Sequence, residues 1–169
     1  MKREEKQFKS RINKLLDGFE HRHKMDGVRY TDLESLQERI LLWKKKVESI
    51  SHTCYLMAES VEKRGYPCTA YHHPTFHPDT RQTYSNQITI QTARVKLDNY
   101  PRFQREVIRE KALEKGDRLV IEEAIEEGMV WVHTWLDDEA QEPVQYPLEK
   151  LSVKLIEKIL EEFLTQVFD

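Results

Sequence analysis

The chain has 169 residues, of which 38% are apolar and 34% charged, and its formal net charge is −3. This length fits one domain with an ordinary core, and no stretch approaches the ~20 consecutive apolar residues that span a bilayer. The opening segment MKREEKQFKSR lacks the apolar region of a secretory signal, and the two cysteines are expected to be reduced thiols. We therefore expect a soluble, cytoplasmic protein without membrane contact.

Charge is distributed unevenly along the chain. The net charge is +7 over residues 1–116 and −10 over residues 117–169. A balanced total does not favour binding to a nucleic-acid backbone. Opposite charges at the two ends instead favour contacts within the fold, with a second copy of the chain or with a basic protein partner.

Two helices are predicted at the start of the chain. Apolar residues in the first helix recur at spacings of four and three: Phe8, Ile12, Leu15 and Phe19. The second helix is predicted over residues 31–64, where Thr31 and Glu34 form a capping box and Gly65 ends the helix. Its apolar seam consists of Leu33, Leu36, Ile40, Trp43, Val47, Ile50, Cys54, Met57 and Val61.

The seam of the long helix allows two interpretations. It packs within the chain, against the first helix as an antiparallel hairpin or against a sheet, or it is an oligomerisation seam against another subunit. The sequence leaves both open. It does predict a helical segment over residues 1–65, followed by a sheet domain over 66–169, and we expect the two to form one continuous folded unit.

A histidine-rich segment, TAYHHPTFHPDTRQTY, covers residues 69–84. Its candidate ligands for zinc or another divalent metal are His72, His73, His77 and Asp79. His73 and His77 each precede a proline, which disfavours helical backbone and excludes a helical pair of ligands. Sharing one ion would require turns at both prolines. We therefore expect an extended, turn-rich connection without a cofactor, and keep a metal site as the alternative.

The remaining chain predicts a small, mainly antiparallel sheet. Strands are expected over NQITIQTARVKL, with a bulge near Thr92, and on both sides of a turn at Glu127 and Gly128. A helix lies between them over residues 101–116. A broad apolar stripe beyond Pro147 predicts a C-terminal amphipathic helix that covers the sheet. The predicted fold class is thus α+β, with an N-terminal helical hairpin.

Two further surfaces are candidates for binding. Trp131, His133 and Trp135 share one face of the last long strand, and they form an aromatic binding surface if that face is uncovered. The neighbouring hairpin is acidic, with carboxylates that suit a basic partner: Glu122, Glu123, Glu126 and Glu127.

No phosphate-binding loop, nucleophile motif or metalloprotease motif occurs in the sequence. It therefore favours a non-enzymatic binding protein, such as an inhibitor, immunity protein, adaptor or structural component, that associates with itself or a larger assembly through the long helix and the acidic hairpin. The alternative is a small histidine-dependent hydrolase or nucleotide-binding protein that uses residues 72–79 for a small-molecule ligand.

Overall fold

The computed structural model describes residues 2–25 and 33–169, with side chains for 2–18 and 33–169. Its contacts divide the chain into two units, residues 1–32 and Leu33–Asp169. The first unit contains helix α1, Lys2–Met25, whose apolar side chains Phe8, Ile12, Leu15 and Leu16 are exposed. The predicted hairpin stays a prediction, because its connection and the capping residue Thr31 lie outside the described residues.

The second unit has α+β architecture, as predicted. Its helices are α2, Leu33–Lys63; α3, Arg102–Lys115; and α4, Val153–Phe168. Its strands are β1, Cys68–His77; β2, Gln82–Thr92; β3, Asp117–Ala124; β4, Met129–Leu136; β5, Glu139–Ala140; and β6, Val144–Pro147. All described strand pairs are antiparallel, in the order β1-β2-β3-β4, with β5 and β6 both pairing with β4.

The core lies between one face of this sheet and helices α2 and α4. Ile88, Ile90 and Ile121 of the sheet are at most 1% exposed, and they belong to one cluster with Ile156 and Phe163 of α4. The alternation of the strands and the broad stripe of α4 account for this arrangement, because each supplies one continuous apolar face.

The seam of α2 is buried within the chain. Ile40, Trp43 and Cys54 are 0% exposed and Ile50 is 1% exposed, whereas Leu33 at the start of the helix is 48% exposed. The indole Nε1 of Trp43 donates to the carbonyl oxygen of Ser85 in β2 at 2.6 Å. The centre of the seam is therefore an intramolecular contact, which is one of the two alternatives left open by the sequence.

Residues 69–77 of the histidine-rich segment form an edge strand rather than a loop. β1 runs through Pro74 without a turn and reverses only after His77. Extended backbone, which the residue before a proline prefers, is also what a strand requires, and an edge strand tolerates the missing N–H of Pro74. The bulge predicted near Thr92 lies elsewhere in the structure. The register of β1 and β2 shifts between His73 and Pro74, opposite Asn86.

No helix among the described residues combines the length and the apolar character needed to cross a membrane.

Candidate binding face

The sheet face opposite α2 and α4 carries a cluster of aromatic and polar side chains, which we call the aromatic face. It is built from alternate residues of four neighbouring strands, brought together by the strand register. Its members are Tyr71, His73, Gln87, Thr89, Arg118, Val120, Glu122, Trp131, His133 and Trp135. They surround a shallow concavity of about 400 Å³, except Trp131, which adjoins it by stacking on His133.

Three rings on β4 form a ladder along this face. The imidazole of His133 stacks between Trp131 and Trp135, with ring centroids 6.3 and 5.9 Å apart and interplanar angles of 29° in both pairs. The guanidinium of Arg118, directly opposite on β3, lies 4.1 Å from the centroid of the Trp135 ring. This distance is typical of a cation–π contact. Within Leu33–Asp169, the rings are therefore held by side chains of their own strand and of the adjacent strand.

Hydrogen bonds fix the histidines of the aromatic face. Nε2 of His133 lies 3.1 Å from Oε2 of Glu122 on the adjacent strand. On β1, the ring of His73 packs edge-to-face on Tyr71 with centroids 5.0 Å apart, and its Nε2 lies 3.4 Å from the hydroxyl of Thr89. The face thus presents aromatic edges together with paired polar groups, a composition common in protein interfaces.

The structure places Trp131, His133 and Trp135 on one face, as predicted. Within Leu33–Asp169, α2 and α4 both lie on the opposite side, where Val130 and Val132 are buried. The three rings remain partly exposed.

The acidic residues of the hairpin do not form one cluster. Glu122 belongs to the aromatic face. Glu123 points inward, where its Oε1 accepts from the hydroxyl of Tyr84 at 3.1 Å and its Oε2 accepts from the N–H of Ile125 at 2.7 Å. Burial raises the pKa of the Glu123 carboxyl above its usual value, with the charge of Glu122 adding to this shift, while the two hydrogen bonds and His77 lower it. Glu123 therefore anchors the turn.

Glu126 and Glu127 are the exposed carboxylates of this turn. Arg39 of α2 stabilises the turn by donating hydrogen bonds to the carbonyl oxygens of Ile125 and Glu126 at 3.0 and 2.9 Å. Gly128 closes it with a positive φ of 68°, a conformation that favours glycine. The side chain of Gln145 donates to Glu127 at 3.2 Å.

The candidate metal ligands are not brought together. His72 and His73 are neighbours on a strand, so their side chains point to opposite faces. Nδ1 of His72 lies 2.6 Å from the hydroxyl of Ser85, whereas His73 joins the aromatic face. Nδ1 of His77 accepts from the N–H of Thr80 in the following turn at 3.3 Å, and Asp79 is exposed. Among the described residues, no three potential metal ligands form a group.

Sequence reasoning missed the contribution of β1 and β3 to this face. Tyr71, His73 and Arg118 join the tryptophans only through the register of the four strands. Two features of the sequence could have indicated this contribution. They are the alternation of Tyr71 and His73 in β1 and the single basic residue in DRLVIEEA, which is Arg118.

No protein-family model matches the chain, and no curated protein or solved structure shows significant similarity to it.

Proposed function

We propose that this chain is a non-enzymatic binding protein that engages a protein partner through its aromatic face. The observation that carries the proposal is the ladder of Trp131, His133 and Trp135 on the sheet face opposite α2 and α4. Tryptophan, tyrosine and arginine are the residues that contribute most often to protein interface energy, and this face contains all three.

The arrangement of the rings favours a protein over a stacking ligand. A base or a sugar stacks on a free aromatic ring face, but the two faces of His133 are engaged by tryptophans and Arg118 covers Trp135. Arg118 is also the only lysine or arginine of the aromatic face, and Glu122 balances its charge. A phosphate backbone would need several cations there. A protein partner that inserts an apolar side chain between polar contacts fits this surface better than a base, a sugar or a phosphate backbone does.

The acidic turn is a second contact region in this proposal. Glu126 and Glu127 are exposed at the end of the same hairpin, so a partner with basic residues beside its apolar contact would be attracted to both regions. Such a partner suits an inhibitor, an immunity protein, an adaptor or an assembly component. Self-association through the centre of the α2 seam is not part of the proposal, because that seam is buried in the chain.

The proposal places the protein in the cytoplasm. Cys54 and Cys68 are both free and buried, as expected for a protein in a reducing compartment. The proposal does not include hydrolysis by the histidines of residues 72–79, because His72 and His73 lie on opposite faces of β1 and His77 bonds to Thr80 in the following turn.

Purification of the tagged chain from the cells that produce it, followed by quantitative mass spectrometry, identifies candidate partner proteins. The proposal is tested by reconstituting the complex of the chain and such a partner from purified components. We expect Trp131→Ala combined with Trp135→Ala to weaken binding at least about tenfold by calorimetry, because truncating buried anchors removes most interface energy. The matched control combines Leu41→Ala and Leu56→Ala, which alters exposed apolar residues of α2. A reconstituted complex that tolerates the tryptophan variant and is lost in the control would refute the proposal.

A further inference from the structure

The outer edge of β1 exposes backbone groups in a defined pattern. The N–H of Ala93 donates to the carbonyl oxygen of Pro67 at 3.2 Å, beside the opposed residues Cys68 and Thr92. In an antiparallel pair this bond makes 68 and 92 a non-hydrogen-bonded pair. The backbone groups of residues 69, 71 and 73 consequently point to β2, whereas those of residues 68, 70 and 72 point away from the sheet.

Both ends of this edge are closed. At Cys68, the N–H donates to Oε1 of Glu62 at 3.0 Å and the carbonyl oxygen accepts from Nη2 of Arg109 at 3.4 Å. At the other end, Pro74 has no N–H and the register with β2 shifts. Between them, no hydrogen bond within residues 2–25 and 33–169 reaches the outward backbone groups of Ala70 or His72. The edge is therefore open over three residues.

We propose that two copies of this chain pair through residues 70–72, as antiparallel strands related by a two-fold axis at Tyr71. Ala70 of each chain then lies opposite the partner's His72, and these pairs form four backbone hydrogen bonds. Cys68 lies opposite the partner's Pro74, so that the two closed positions face each other. A different extended peptide would need its own closed positions at the places that face Cys68 and Pro74. A second copy of the chain puts its own Pro74 and Cys68 there by symmetry.

The side chains of the edge are compatible with this pairing. Residues 69–73 carry no lysine, arginine or carboxylate, although charged residues commonly guard exposed edges against pairing. Tyr71 is 37% exposed and would stand beside the partner's Tyr71 at a non-hydrogen-bonded position, where side chains approach most closely. Four backbone hydrogen bonds make a small contact, so the dimer should dissociate into monomers as the protein concentration falls. The two aromatic faces would join into one continuous surface.

Cysteine cross-linking tests the register directly. In the proposed dimer the two Tyr71 Cα atoms are about 4.5 Å apart, which lies within the range that a disulfide spans. We expect Tyr71→Cys to form a covalent dimer under mild oxidation, while Cys54 and Cys68 stay buried and unreactive. His73→Cys is the matched control, because the two copies of residue 73 in the proposed dimer are roughly 13 Å apart along the strands. A mixture of His73→Cys chains and Thr69→Cys chains should cross-link.

Absence of a Tyr71→Cys dimer, or equal cross-linking by His73→Cys alone, would overturn the proposal. A second pair of variants tests it without cysteine. His72→Pro removes an outward N–H and should shift sedimentation to the monomer, whereas Pro74→Ala adds one and should strengthen association; circular dichroism confirms the fold of both. A wild-type chain that stays monomeric at the highest attainable concentration also contradicts the proposal. The inference is independent of the proposed partner, since Trp131→Ala with Trp135→Ala should leave the Tyr71→Cys cross-link unchanged.

Discussion

Trp43 connects α2 to the sheet by two kinds of interaction. Its ring is fully buried, and its Nε1 satisfies the carbonyl oxygen of Ser85. Trp43→Phe keeps an aromatic ring but removes this hydrogen bond to the carbonyl oxygen and leaves a small void beside it. We expect a loss of about 2 kcal/mol in the free energy of unfolding, measured by urea denaturation. Trp131→Phe, on the partly exposed aromatic face, should cost less than about 1 kcal/mol, and equal losses would contradict this account.

Glu123 should make stability depend on pH in a direction unusual for a carboxylate. Because burial raises the pKa of the Glu123 carboxyl in the folded state above its ordinary value of 4.5, the folded chain holds this proton more tightly than the unfolded chain. Its contribution to stability is therefore fully present below pH 4.5 and is lost as the pH rises through the folded-state pKa.

Glu123→Gln removes this titration and tests its sign. Wild-type and variant chains are unfolded with urea at a series of pH values from 4 upward, so that the titration of all other groups cancels in the difference. We expect the stability of the wild type relative to the variant to fall as the pH rises. A difference that is constant, or that increases with pH, would show that the carboxyl is not held in its protonated form by burial.

At the scale of elements, the predictable features are those set by local periodicity. The seam of α2 and the stripe of α4 repeat with the helical period, and Ile88 and Ile90 alternate with polar residues, so burial could be predicted from spacing alone. The extended backbone expected in the histidine-rich segment is confirmed, but its pairing as an edge strand could not be predicted, because its prolines suit a turn and an edge strand equally. The aromatic face needed the long-range register, which no local pattern in β1 or β3 encodes.

The junction between α3 and the sheet depends on a glycine. A Cβ at Gly116 would lie 2.1 Å from the carbonyl oxygen of Thr92 and 2.8 Å from that of Ala112. Both obstacles are backbone atoms, so Gly116→Ala must displace the end of α3 from β2. We expect a loss of about 2 kcal/mol or more in the free energy of unfolding, measured by thermal or urea denaturation.

Gly18 provides the matched control for that substitution. It lies within α1, where a Cβ would meet no atom within 4 Å. Gly18→Ala should raise helix stability by about 0.5 to 1 kcal/mol and increase the far-ultraviolet helical signal, since alanine has the higher helix propensity. If both variants changed stability in the same direction, the contact of Gly116 with β2 would not be the cause.

At the scale of the molecule, the two cysteines report whether the unit Leu33–Asp169 opens as a whole. Cys54 is 0% exposed on α2 and Cys68 is 2% exposed at the start of β1. Burial raises the pKa of Cys54 to about 12 and that of Cys68 to about 11, so neither is a thiolate near neutral pH. Reagents that attack thiolates should label the folded chain very slowly.

Because both thiols belong to one core cluster with α4 and the sheet, exposing either should require the same cooperative opening. We expect Cys54→Ala and Cys68→Ala variants, each with one remaining thiol, to be labelled at rates that share the urea dependence of global unfolding. If the Cys68 thiol reacted faster and with a weak urea dependence, the start of β1 would open separately from α2. That outcome would also mean that the Glu62 and Arg109 contacts close the β1 edge only part of the time, because they bond to the backbone of this same residue.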